Sequence, residues 1–358
     1  MLFLKIGLIL QFIIGLLLLK ASFDSDIKYG FDYDDSALKN VGQVVTTDSF
    51  IRKTISFPCV NMLCEAWLYT PVDQENNKSY PIVVMAHGLG GQKEFGLYRF
   101  AEAFARKGIA SFVFDYRSFG GSEGTPRNWV SPKRHLADWR SAIDFILLKT
   151  LGDKYDTNRI VLWGTSFGGG HAIVMGAEYG NQITAIVTMV PHLDGRAASR
   201  ESIHRRGVNG SVRMLAAGLL DLVRSLFNQD PVYVRLAGSH DQLAFMQLSS
   251  HELDAYYAKI PPSTQGGWIP WALARFTLET SFYRPITYLG KLKAPLLIVS
   301  AAKDTLCSRE VLANATSLLP SEQVKWVEFP VSHFDVYLEP QLTPIVNIMV
   351  DFFKQHGL

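Results

Sequence analysis

The chain reads as an α/β protein, a mostly parallel, doubly wound sheet with a helical cap inserted into it. Three observations predict this. Continuous apolar, β-rich runs alternate with segments of helical spacing; the alternation stops near residue 193 and resumes near residue 293; and the strand Ile160-Val161-Leu162-Trp163 runs through Gly164-Thr165-Ser166-Phe167-Gly168 straight into a helix. Runs that are apolar at every position suit strands buried on both faces, which arise where helices cover both sides of a sheet.

In chain order, residues 1–19 are apolar apart from Lys5 and Gln11, and the uncharged run Ile6 to Leu19 has 14 residues. As a helix it spans roughly 21 Å, short of the ~30 Å hydrocarbon core, which suits the apolar region of a signal peptide. Leu19-Lys20-Ala21-Ser22 offers small residues at only some of the places a cleavage site needs. Residues 1–22 therefore stand as a signal peptide or as an uncleaved signal anchor attaching the protein through residues 1–19. A buried N-terminal helix fits less well, because the run is apolar on every face. The expected location is the secretory route, secreted or membrane-anchored with the folded domain on the lumenal or extracellular side. The triplets beginning at Asn77, Asn209 and Asn314 are glycosylation sequons and agree with it.

Residues 23–50 are acidic and without steady period, the pattern of a linker or a loosely packed arm. Ile51 to Phe57 and Leu63 to Tyr69 read as paired strands. Cys59 and Cys64 flank the turn between them and are placed to pair in an oxidising lumen; the alternative is three buried thiols with Cys307 as the third. Ile82 to Ala86, Ile109 to Tyr116, Arg159 to Trp163 and Ile183 to Val190 are the next strands. Leu97, Phe100, Ala101, Phe104 and Ala105 mark one intervening helix, and Leu136, Trp139, Ile143 and Leu147 another. Residues 51–192 and 293–358 thus make the core. Residues 193–292, with no comparable strand, make the cap, helical from Val212 to Leu226 and then rich in proline and aromatic residues. Pro295 to Val299, Val324 to Phe329 and a helix through Ile345 and Phe353 complete the core. A net charge of +2 and the absence of a basic block interleaved with aromatics exclude nucleic acid as a partner.

The chemistry sits at strand ends. A serine in a strained strand-to-helix turn holds its hydroxyl clear of the sheet, beside the free N–H groups of a helix start. Such a nucleophile needs a base and a group to orient that base. Asp304 and His333 end the two strands after the cap, in the order Ser166, Asp304, His333. Asp194 is the rival acid. The turn His87-Gly88-Leu89-Gly90-Gly91 offers the Leu89 N–H to join that of Phe167 around an oxyanion. A dinucleotide-binding reading of these glycines fails at Lys93, where the third glycine would stand. His192, Trp268 and Trp271 are candidate pocket residues, and an apolar acyl chain is the guest such aromatics suit.

Through the His87-Gly88 turn, the loop Asp115-Tyr116-Arg117 to Gly124, the Ser166 elbow, Asp304 and His333, residues 50–356 resemble the α/β-hydrolase superfamily. Within it the chain looks like capped serine hydrolases of the monoglyceride-lipase and serine-aminopeptidase-like group, and like fungal polyketide transferases. Thr165 and Phe167 stand where lipases of this type usually have His and Met. The resemblance implies acyl transfer through an acyl-serine, with no metal and no organic cofactor. The substrate expected is a small, apolar acyl ester. An acyltransferase with the same triad, a peptidase or amidase using Glu252 or Asp254 to hold an amine, and a silent binding protein are the alternatives.

Overall fold

The computed structural model describes residues 11, 14–31, 36–72, 79–264 and 268–358. Asn77 of the first sequon, the acidic run 32–35 and most of residues 1–13 lie outside these. In chain order the strands are β1 (Lys28–Tyr29), β2 (Val44–Thr46), β3 (Phe50–Cys59), β4 (Met62–Pro71), β5 (Tyr80–Ala86), β6 (Ala110–Phe114), β7 (Tyr155–Thr165), β8 (Ala185–Met189), β9 (Val232–Gly238), β10 (Ala244–Gln247), β11 (Trp271–Leu273), β12 (Leu296–Ala301) and β13 (Val324–Phe329). Residues 14–22 form helix α1. It is followed by α2 (Leu97–Ala105), α3 (Pro132–Leu147), α4 (Phe167–Tyr179), α5 (Gly195–Leu226), α6 (Ser250–Ala258), α7 (Arg309–Thr316) and α8 (Leu342–Gln355).

Nine strands form one sheet, ordered β13-β12-β8-β7-β5-β6-β4-β3-β2. From β13 to β6 every pairing is parallel, and β4, β3 and β2 join antiparallel. Every residue of β5, β6, β8 and β12 is buried, which requires cover on both faces. Helix pairs α2/α8 and α3/α4 supply it. The parallel register brings the carboxyl ends of β5, β7, β8, β12 and β13 to one edge, where an open α/β sheet binds its ligands. Cys59 and Cys64 are joined in a disulfide at the β3–β4 turn, and Cys307 is a buried thiol.

Two expectations are corrected here. The inserted segment is not purely helical: β9 is a buried strand that pairs with β1, β10 and β11 in a second, four-stranded sheet. Its apolar run is interrupted by Arg235, whose guanidinium lies 4.5 Å from the Trp271 ring, so a cation–π contact accommodates the charge that hides the strand in the sequence. Nor are residues 23–50 a bare linker. Lys28 and Tyr29 pair with Tyr233 and Val232, Val44–Thr46 edges the main sheet, and Ile27 is buried. The acidic character of the arm has a counterpart: Arg213 donates to Asp24 and Asp26 at 2.6 Å.

Helix α1 packs Leu17, Leu18 and Ala21 against Met214, Ala217 and Leu220 of α5, while Leu16 and Leu19 are exposed. This part of the apolar run therefore has an inner and an outer face. Among the described residues no helix is long and apolar enough to cross a membrane. Of the remaining sequons, Asn209 lies in α5, where its side-chain Oδ1 accepts from Lys20 Nζ, and Asn314 is exposed on α7.

Arg213→Ala removes both carboxylate contacts of the arm. Because these groups are partly solvated, the expected loss is about 1 kcal/mol. It should be read as a shift in urea midpoint at unchanged slope, with faster proteolytic cleavage between residues 22 and 31.

Candidate active site

Strand β7 ends at Thr165 and α4 begins at Phe167, so a single residue must reverse the chain. Ser166 does this at φ 54°, ψ −120°, a conformation that L-residues avoid. The glycines flanking it are required by proximity. A Cβ on Gly164 would run into the carbonyl of Gly168, and one on Gly168 into the carbonyl of His87. The Ser166 N–H is tied to Met189 O at 2.8 Å and its carbonyl accepts from His192 N at 2.9 Å, which fixes the turn against the end of β8.

The structure brings all three sequence-derived residues together. His333 Nε2 lies 3.1 Å from Ser166 Oγ, and His333 Nδ1 lies 2.7 Å from Asp304 Oδ2. The other carboxylate oxygen, Oδ1, accepts from Leu306 N at 2.8 Å and Cys307 N at 2.9 Å. With Asp304 as a carboxylate, the proton of the imidazole resides on Nδ1 and the lone pair of Nε2 faces the serine hydroxyl. That arrangement can take a proton from Oγ and hold the resulting imidazolium. Asp194, the rival acid, is engaged elsewhere: it caps α5 and holds Arg284 in a two-pronged pair.

Phe167 opens α4, so its N–H has no acceptor within the helix. Leu89, in the turn after β5, finds no acceptor for its N–H among the described residues, and both residues border the space above Ser166. The turn is held from above and below. On the cap side, Trp268 Nε1 donates to Gly90 O at 2.8 Å, and Leu236 of β9 fills the place of a side chain at Gly90 (φ +63°). On the core side, Lys93 is wholly buried, with Nζ 2.5 Å from Asp115 and 2.8 Å from Glu65, while its own N–H donates to Asp115 Oδ1 at 2.7 Å. The lysine that rules out a dinucleotide loop is thus the anchor of the turn. His87 packs on Tyr116 at 4.5 Å between ring centroids, and burial pulls its pKa down to about 4.

A cavity of about 480 Å³ opens on Ser166. Its walls are largely apolar, from Leu89, Phe167, Val212, Leu215, Phe245, Met246 and Phe276, and His192 borders it. Trp268 and Trp271 do not, which corrects their assignment as pocket residues. Trp268 stands edge-on to Phe95 with its N–H spent on Gly90. Trp271 lies in β11, clustered with Phe31, Tyr233 and Arg235. The sequence offered no sign of most of the wall: it comes from residues 198–215 of α5 and from β10, whose facing is decided by the cap's own packing. Glu252, the candidate amine ligand, forms a capping box at the start of α6 and accepts from Thr305. His171 is packed inside, its Nδ1 2.6 Å from the Tyr283 hydroxyl.

Among the described residues two groups have the composition of metal ligands, Cys59 with Cys64 and Asp138, and Asp304 with Cys307 and His333. In the first the sulfurs are bonded to each other. In the second the atoms that would ligate form the 2.7 Å imidazole–carboxylate contact. Burial holds the Cys307 thiol well above its usual pKa, so it is a neutral wall of the cavity and no second nucleophile.

Comparison with known proteins shows the family and the fold. Residues 77–341 match the serine aminopeptidase S33 family. The chain is 33% identical over 302 residues to the quorum-quenching protein AidA of Acinetobacter baumannii, covering 84% of this chain and 94% of that one. It is 24% identical over 316 residues to the polyketide transferase af380 of Aspergillus fumigatus, covering 85% and 98%. Its fold is similar to that of a soluble variant of a monoglyceride lipase from Saccharomyces cerevisiae solved with a substrate analogue, with TM-score 0.60 and 14% identity, covering 92% of this chain and 99% of that one.

Lys93→Ala leaves Asp115 and Glu65 buried without their cation, and the expected cost is about 3–5 kcal/mol, read from chemical denaturation. Acid should also weaken the fold. Burial pulls both His87 and His192 down to about 4. Between about pH 4 and 6.5 the unfolded chain therefore binds protons that the folded chain does not, and stability falls as pH is lowered through that window. His192→Gln should flatten this dependence, by up to about 3 kcal/mol across the window, in urea titrations at stepped pH.

Proposed function

Because the chain belongs to the serine aminopeptidase S33 family and has the α/β-hydrolase fold, we propose that it is a serine hydrolase cleaving a carboxylic ester through an acyl-serine intermediate. The observation that carries this reading is the continuous contact from Asp304 to His333 to Ser166, at 2.7 and 3.1 Å, on the floor of a mostly apolar cavity. As Ser166 Oγ attacks the ester carbonyl, its proton passes to His333 Nε2. Asp304 keeps the ring oriented and stabilises the imidazolium. The carbonyl oxygen becomes negative and is met by the N–H groups of Leu89 and Phe167, each typically worth ~3 kcal/mol to the transition state. The imidazolium then protonates the departing alcohol, and water, activated by the same nitrogen, releases the acid and restores the serine.

Transfer of the acyl group to an alcohol or amine in place of water is the second reading. It draws on the likeness to a polyketide transferase, and it uses the same residues until the acceptor enters. Competition between water and added nucleophiles, followed by mass spectrometry of the products, separates the two. The same proposal keeps the protein on the secretory route, supported by the apolar run at residues 6–19 and by the Cys59–Cys64 disulfide. N-terminal sequencing of protein recovered from its own cells tests this.

The parent should react with a fluorophosphonate probe and Ser166→Ala should not, with unchanged circular dichroism. On p-nitrophenyl esters Ser166→Ala should lower kcat by roughly 10⁶-fold and Asp304→Asn by about 10⁴-fold. A folded parent that stays unlabelled, or a Ser166→Ala form that keeps its turnover, would sink the reading.

A further inference from the structure

The cavity above Ser166 is apolar for most of its length but not throughout. Arg205 and Arg206 both border it, and among the described residues no aspartate or glutamate does. Every acceptor that the structure gives these guanidiniums is a backbone carbonyl: Thr305 O for Arg205, and Ala244 O at 2.7 Å with Phe245 O at 3.5 Å for Arg206. Arg206 Nε is buried and bonded to nothing among the described residues. Three further cavity residues share that condition at His192 Nε2, Ser199 Oγ and Thr277 Oγ1. A buried polar atom without a partner is costly, and native folds retain few. Sixteen such atoms occur among the described residues, and four belong to the lining of this one cavity, where they make the polar part of a wall that a guest with polar atoms of its own would meet.

The backbone is shaped to put Arg206 there. Helix α5 breaks immediately after it, at Gly207, with φ 69° and ψ 177°. The residue that would crowd its stem is Gly210, where a Cβ would collide with Arg206 Cγ. A helix interrupted by one glycine and thinned by a second is less stable than one without them, so the position of this side chain is maintained against local preference. Placement at a helix end and bonds to two carbonyls of β10 give Arg206 a structural part as well. Those bonds use one nitrogen of the guanidinium, Nη2, and leave its charge unanswered. Burial, joined by repulsion from Arg205, draws the guanidinium pKa of Arg206 down to about 10.

We propose that the portion of the substrate lying in this cavity carries a carboxylate, which pairs with Arg206, so that the preferred ester is that of an acid with a second, anionic end. The claim rests on the ester-hydrolase reading for its chemistry. The apolar walls accept the methylene chain, and the planar fork of the guanidinium matches a carboxylate in geometry and charge. Ser199 and Thr277 hydroxyls supply donors to the same guest.

The test compares mono-p-nitrophenyl suberate with p-nitrophenyl octanoate, esters of equal chain length that differ in the terminal group, on the parent and on Arg206→Gln. The ratio of kcat/KM, suberyl over octanoyl, should fall by about 10- to 100-fold in Arg206→Gln. A ratio that moves less than about threefold while the variant remains folded by circular dichroism overturns the proposal and leaves Arg206 as a clamp for β10. Should Arg206→Gln fail to fold, the decision passes to calorimetry on the parent with the product acids themselves. Suberate binding more tightly than octanoate supports the anionic end, and octanoate binding alone overturns it. Since calorimetry needs no turnover, it also separates the two readings: a protein that binds suberate but ignores fluorophosphonate has lost the hydrolase mechanism and kept the anion site.

Discussion

The structure depends on one backbone conformation, that of Ser166. A positive φ at a residue with a side chain costs of order 1–3 kcal/mol and survives only where its surroundings over-determine it. Here they do so from three directions. Gly164 and Gly168 allow the strand, the helix and the β5 turn to approach within contact distance, and two backbone hydrogen bonds join the serine to the end of β8. The result is a hydroxyl that meets His333 without any movement of the chain. Sheet order matters for the same reason, since β12 and β13 follow β8 on that side and deliver Asp304 and His333 to the same edge.

Around that point the interior is polar. Lys93, Asp115 and Glu65 are all wholly buried, and so are His87, His135 and His171. The imidazoles sit among rings: His135 stacks on Tyr116 at 3.9 Å, and His171 lies 4.7 Å from Phe167. Burial lowers the pKa of each of these histidines, so they serve as flat neutral spacers that can still donate one hydrogen bond. The ionic contribution comes from the buried Arg117–Asp138 pair and from the lysine cluster beneath the oxyanion turn. Charge there makes one arrangement of the turn much better than its neighbours, because any shift of Lys93 would strand two carboxylates in a medium of low polarity.

Much of this was legible from residue order alone, and the reason is locality. The core strands declare themselves as unbroken apolar runs, and Ser166, Asp304 and His333 each stand at a strand end, so reading the strands places the residues. What escaped was decided by distant partners. Asp24 meets Arg213 across 189 positions, and nothing near either residue announces it. Strand β9 was hidden by Arg235, a charge that becomes tolerable only when Trp271 folds over it. Trp268 and Trp271 stand in the sequence as candidate pocket residues; their directions are set instead by Phe95 and by the Phe31–Tyr233 cluster. Lys93 was noticed only for the motif it spoils.

The pairing of β1 with β9 has a bearing on how the molecule can be divided. Along the chain the cap is one uninterrupted insertion, but its sheet is completed by Lys28 and Tyr29, residues that precede the entire core. Recombination that exchanged residues 193–292 between relatives would therefore transfer an incomplete module and leave its missing strand behind. The unit that can be inherited or grafted intact is discontinuous, and the N-terminal arm and the cap must change together.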